Sequence, residues 1–141
     1  MPGHDRVVQV VGEWVEKAEN DLKVAEHTLR MGRTCPTDAV CFHSQQCVEK
    51  YLKALLVSGS IDFARTHDIG ESAALTSRDI RRELSAEDQR RLTTYATTAR
   101  YPGDYEAISL AEARSAVRLA RRLRRAVRRL LPRAALRFRK P

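Results

Sequence analysis

Several things are scarce in this chain, and each scarcity closes off a class of protein. Its three cysteines, Cys35, Cys41 and Cys47, are odd in number and lack CxxC spacing, which argues against a disulfide framework or a zinc site. No apolar stretch approaches the roughly 18 residues that a membrane span requires; Ala54–Val57 is typical of the longest. The amino terminus, Met1-Pro2-Gly3-His4-Asp5-Arg6, lacks the basic-then-apolar order of a secretory leader, so a cytoplasmic location is the expectation. Period-two alternation, the mark of a half-buried strand, is nearly missing. So are GxGxxG, the Walker loop, HExxH and GxSxG, which removes the common nucleotide-fold, metalloprotease and serine-hydrolase signatures. The four histidines, at 4, 27, 43 and 67, are not spaced as a paired metal site. Neither metal nor cofactor is expected.

What is present is helical periodicity and a lopsided charge. The 141 residues suffice for one core, read here as a single domain over residues 10–131 between short flexible termini, 1–9 and 132–141. The net charge of +8 is unevenly placed: residues 112–140 hold twelve basic groups to one acid, whereas residues 1–111 carry a balance of −3. A mildly acidic body with a cationic last helix suggests an anionic partner; the plainer alternative is a solvated arginine-rich face.

Four long helices and a short one are predicted. Val11, Val15, Ala18, Leu22, Ala25 and Leu29 recur at steps of three and four and define a helix over 10–30. A second runs over 37–58, with Thr37 as its cap and Gly59 as its stop. Asp68 suits the cap of a short helix over 69–75. Ser85, with Asp88 three residues on, opens one over 86–99. The last runs over 109–131 on a stripe of Ala116, Leu119, Ala120, Leu123, Val127 and Leu130, and Pro132 stops it. The fold class is all-α, an antiparallel up-down bundle.

Polar groups converge at three places. His43, Gln46, Lys50 and Lys53 step along one side of the second helix, a row suited to a phosphate or a base, or else a solvated face in which Glu49 bridges Lys53. His67 and Asp68 stand at a helix start, where N–H groups favour anions; alternatively Asp68 simply caps. Tyr95, Arg100, Tyr101 and Tyr105 put one arginine among tyrosines, an arrangement fit for phosphate contact and base stacking, or for a core tyrosine followed by a turn.

The ordered set of segments resembles the HEPN family, the higher-eukaryote and prokaryote nucleotide-binding domains. Trp14-Val15-Glu16-Lys17-Ala18-Glu19-Asn20-Asp21-Leu22 is similar to the family's WxxxAxxDL opening. Cys41-Phe42-His43-Ser44-Gln45-Gln46-Cys47-Val48-Glu49-Lys50-Tyr51-Leu52-Lys53-Ala54-Leu55-Leu56 resembles its CFHxQQxxEKxLKALL segment. Thr66-His67-Asp68-Ile69 resembles THDL, and Ala99-Arg100-Tyr101-Pro102 resembles ARYP. The resemblance implies a four- or five-helix bundle, a homodimer with a cleft at its interface, and pairing with a small nucleotidyltransferase. Some members are metal-independent RNases, often toxins of toxin–antitoxin pairs, in which R-x4-6-H from both subunits cleaves RNA. This chain departs from that motif. No histidine follows an arginine at that spacing, and Tyr105 stands where the histidine would follow Arg100. A tyrosine with a pKa of about 10 is a poor base at neutral pH.

Three functions follow as expectations. The first is a dimeric nucleotide- or RNA-binding module, in which Lys50, Lys53, His67, Asp68, Arg100 and Tyr101 hold phosphate or base and His43, Gln46 and Tyr95 line the site. The second is a toxin-like ribonuclease using Arg100 and Tyr105. The third is a structural adaptor without a ligand.

Overall fold

The computed structural model describes residues 2–65, 68–96 and 106–137. Among these, seven α-helices and one 3-10 turn occur, and no strand: α1 (Pro2–Leu29), α2 (Thr37–Ser58), α3 (Ile69–Ala74), α4 (Arg78–Arg81), α5 (Ala86–Tyr95), α6 (Leu110–Arg128) and α7 (Arg133–Leu136). The all-α expectation holds. α1 and α2 form the broadest contact, α6 lies along α2, and α5 and α3 cover another side of α2.

α2 is therefore the central element, and its residues show it. Val40, Cys41, Cys47, Val48, Leu52 and Ala54 are all shut off from solvent. At roughly 1.5–3 kcal/mol for each large aliphatic side chain, this helix contributes much of the apolar burial. Against it α1 sets Val11, Val15, Ala18, Leu22 and Ala25, and α6 sets Ala113, Ala116, Ala120, Leu123 and Val127. Small residues at several of these positions allow the helices to approach closely.

Local chemistry explains most of the boundaries. Asp68 caps α3, its carboxylate accepting from the Glu71 N–H at 3.2 Å. Ser85 and Asp88 make a reciprocal capping box at α5. Ser109 caps α6 by accepting from the Glu112 N–H at 3.0 Å.

Five expectations need correction. α1 begins at Pro2 rather than near residue 10, because proline suits a first helical position and Val7 and Val8 extend the apolar stripe. The N-cap of α2 is Pro36, not Thr37; the Thr37 hydroxyl instead donates to the Ile108 carbonyl at 2.7 Å and ties α2 to the lead-in of α6. A helical turn, α4, occupies 78–81, anchored by fully buried Ile80. Residues 133–136 form α7 instead of a loose tail, with Ala135 buried. α6 closes at Arg128, so Leu130 turns outward, half exposed, and Leu131 enters the core in its place.

Candidate functional site

α1 and α2 meet along a polar seam. Asp21, on α1, is 8% exposed and faces the α2 row. Its two oxygens hold His43 Nδ1 at 2.8 Å and Lys50 Nζ at 2.5 Å. One carboxylate thus fixes the imidazole ring and matches the lysine charge. Two turns along α2, Glu49, itself 2% exposed, receives Lys53 Nζ at 3.1 Å, Gln46 Nε2 at 3.2 Å and Gln45 Nε2 at 3.3 Å. Lys53 also lies over the Trp14 ring, 5.5 Å from its centroid. The predicted row His43–Gln46–Lys50–Lys53 therefore exists on one side of α2, but with a carboxylate already seated against each lysine.

A second polar hub joins three helices. The Glu19 carboxylate accepts from Arg124 at 2.7 and 2.8 Å and from the Tyr51 hydroxyl at 2.7 Å. Burial pulls the Glu19 carboxyl up, yet the hydrogen bonds from Arg124 and Tyr51 outweigh it, and the group sits below its usual 4.5. Tyr51 is fully buried, and burial together with its bond to Glu19 raises its phenol well above the ordinary value. Arg124 is held charged by the same pairing.

Tyr95 stands on the far side of α2 from the seam. Its hydroxyl donates to Glu112 at 2.6 Å, and it meets the Cys41 thiol. Burial, then Glu112, pushes the Tyr95 phenol upward. At about 100° per residue, Cys41 points roughly opposite the direction shared by His43 and Lys50. Within the chain, Tyr95 and the His43–Lys53 row do not converge.

Tyr95 instead borders a groove of 380 Å³ between α5 and the lead-in of α6, lined also by Arg90, by Arg91 with its partner Glu87 at 2.9 Å, and by Thr94, Glu106 and Glu112. Residues 95 and 106, at the groove's edges, flank the stretch that carries Arg100, Tyr101 and Tyr105. Those three residues and His67 lie outside the described residues. Asp68 serves as the α3 cap, and the Ile69 N–H donates to the Thr93 hydroxyl at 3.1 Å, fastening α3 to α5.

Sequence reasoning missed Asp21, Arg90 and Arg91. The signal for Asp21 was an acid at the edge of the α1 apolar stripe, opposite a cationic row on the next helix. Nothing in spacing alone marks Arg90 and Arg91, which matter only because α5 and α6 meet there. Burial raises the Cys41 thiol to about 12, with the nearby acids Glu112 and Asp38 adding to the effect, and burial also raises Cys47; both read as core residues. Among the described residues no cluster of three potential metal ligands exists, and no helix is long and apolar enough to cross a membrane.

Comparison with known proteins accords with this architecture. The HEPN domain model matches residues 11–130. The crystal structure of ST0689, an archaeal HEPN homologue, is 28% identical and covers 85% of this chain and 96% of its own, with a TM-score of 0.66. The crystal structure of TT1696 from Thermus thermophilus is 25% identical over 87% of this chain and 99% of that one, with a TM-score of 0.69. A Methanocaldococcus jannaschii protein named "Putative toxin MJ1304" is 44% identical over 52 residues, which is 37% of this chain and 32% of that protein. With the WxxxAxxDL helix laid against the CFHxQQ helix and the family model matching nearly the whole bundle, the chain belongs to the HEPN family.

Proposed function

We propose that this HEPN protein binds a nucleotide or RNA as a homodimer, in concert with a separate nucleotidyltransferase. The observation that carries the reading is the groove between α5 and the start of α6. Its 380 Å³ falls in the range of small-ligand sites, and beside Tyr95 it offers the Arg90 guanidinium, with Arg91 paired to Glu87 at 2.9 Å along its wall. In the sequence it brackets the segment bearing Arg100, Tyr101 and Tyr105. In this reading Arg90 and Arg100 take phosphate, and Tyr101 and Tyr105 stack on a base. The lysines of α2 have their charge met by Asp21 and Glu49, so the seam serves to fix His43 and Gln46 as lining groups. Tyr95 and that seam lie on opposite sides of α2, and a twofold pairing is the simplest way for both to border one cleft.

Native mass spectrometry of the full chain with added ATP, and separately with a short RNA, tests the proposal. A dimer carrying either ligand, lost on Arg100→Ala, is the expected result. A monomer without adduct in both cases refutes it. A second reading, a toxin-like ribonuclease, draws on the name of the M. jannaschii relative. In it Arg100 steadies the charge while a ribose 2′-OH, losing its proton to water, attacks phosphorus to form a 2′,3′-cyclic phosphate, and the P–O5′ bond breaks as the 5′-oxygen takes a proton from water. RNA cleavage in EDTA that Arg100→Ala abolishes favours it; equal cleavage by the two proteins rejects it.

A further inference from the structure

The outer face of α6 carries a stripe that the groove does not use. Arg114, Arg118, Arg121, Arg125 and Arg129 are all exposed. At about 100° per residue they fall within an arc of about 80°, opposite the buried face of Ala116, Ala120, Leu123 and Val127. At about 1.5 Å per residue the row is about 22 Å long.

Most arginines of α6 that have a carboxylate reach it at the rim of the stripe. Arg124 pairs with Glu19 and Arg122 with Glu83, and of the stripe itself only Arg121 is engaged, by Glu26. Among the described residues, Arg114, Arg118, Arg125 and Arg129 have no ion-pair partner. The shallow groove between α6 and α1 adds Lys23, and Arg30 follows it along α1, both without a carboxylate partner among the described residues. Like charges at i, i+4 destabilise a lone helix by a few tenths of a kcal/mol each, so the row lowers the stability of α6. Core burial of the opposite face holds the helix nonetheless.

We infer that this stripe is a docking surface for the phosphate backbone of a single RNA strand. The inference rests on the proposed function and narrows it, from any nucleotide to a polymer. Every charge on the stripe is a guanidinium, whose planar fork matches phosphate oxygens in pairs. A straight row of about 22 Å, at about 3.4 Å per stacked nucleotide, reaches along about six phosphates. No large apolar side chain interrupts the arc, so it lacks the wedge with which a helix enters a lipid surface. The face would read charge and shape, not bases.

Fluorescence anisotropy with a labelled oligo-uridine of about 12 nucleotides, twice the reach of the row, tests this between about 50 and 200 mM salt. With four free arginines engaged, log Kd should change with log salt by a slope of about 3. The double variant Arg118→Gln/Arg125→Gln should bind about tenfold more weakly and lower the slope by about 1.4. Arg6→Gln/Arg78→Gln removes the same charge at exposed positions off the stripe and should leave binding within about twofold of wild type.

Equal loss in the two double variants overturns the inference, because net charge and not the stripe would then be responsible. RNA binding by wild type that neither variant weakens overturns it and leaves the proposed function standing. ATP binding without RNA binding does the same. No binding of either ligand overturns both. Equal binding of poly-glutamate, or of anionic phosphatidylserine vesicles, overturns the assignment to RNA in favour of an acidic protein or a membrane.

Discussion

Replacing Glu19 with alanine should destabilise the bundle by about 2–3 kcal/mol. Tyr51 is fully buried and donates its hydroxyl proton to Glu19 at 2.7 Å. Its other neighbour, Arg128 at 3.2 Å, is a donor and cannot take that proton. Stranding a buried hydroxyl costs roughly 1–3 kcal/mol. The bidentate pair with Arg124 adds less, because its members are 32% and 26% exposed and water already screens them; about 0.5–1 kcal/mol is appropriate. Glu19→Gln keeps an acceptor for Tyr51 and should cost only about 1 kcal/mol. For a chain of this length about 3 °C of Tm accompanies each kcal/mol, so alanine should lower Tm by roughly 8 °C and glutamine by roughly 3 °C.

Urea denaturation followed by circular dichroism at neutral pH measures both. Glu19 has a folded pKa below its usual 4.5, so its contribution is complete above that value and is lost as pH falls through the folded one. The gap between wild type and Glu19→Gln should therefore narrow on acidification from about pH 5 to about pH 3. Alanine and glutamine variants of equal stability, or a gap that widens in acid, would show that the hub does not join α1, α2 and α6 in this way.

Two further outcomes follow from burial. Asp21→Asn leaves Lys50 without its counter-charge and should cost about 1–2 kcal/mol in the same urea assay. Asp21→Asn combined with Lys50→Met should recover part of that loss, and strict additivity would argue that the 2.5 Å contact contributes nothing. The thiol of Cys41, held near 12, and that of Cys47, also raised, should resist iodoacetamide at pH 8 in the native protein and react when it is unfolded in urea. Rapid native labelling of either, read by peptide mass, would contradict their place in the core.

The fold was largely legible because amphipathic periodicity is a direct record of which face meets a neighbour. Val11 to Leu29 and Ala116 to Val127 declared their stripes plainly, and Ser85 with Asp88 declared a start. The short elements were not legible. α4 has only one deeply buried residue, Ile80, and four residues cannot display a period. Pro132 looks like a terminator, but a proline that stops one helix can open the next, as it does for α7. The seam was half legible. The α2 row was readable from steps of three, four and three, and so was the Glu49–Lys53 pair. Its neutralisation by Asp21 depended on which helix packs alongside, a long-range fact absent from local spacing. Arg90 and Arg91 join Tyr95 at one groove for the same tertiary reason.

The burial of Ala135 beyond Pro132 bears on how α6 would meet a long anion. α7 folds back against α1, Leu131 is sunk in the core, and at the other end Thr37 clasps Ile108 just ahead of Ser109. The arginine row is thus mounted on a strut clamped at both tips. A polyelectrolyte arriving there meets charges set at fixed intervals, and the protein surrenders little backbone entropy on capture. Calorimetry should accordingly record only a small heat-capacity change, because no coil becomes a helix, and binding driven by the entropy of released counterions.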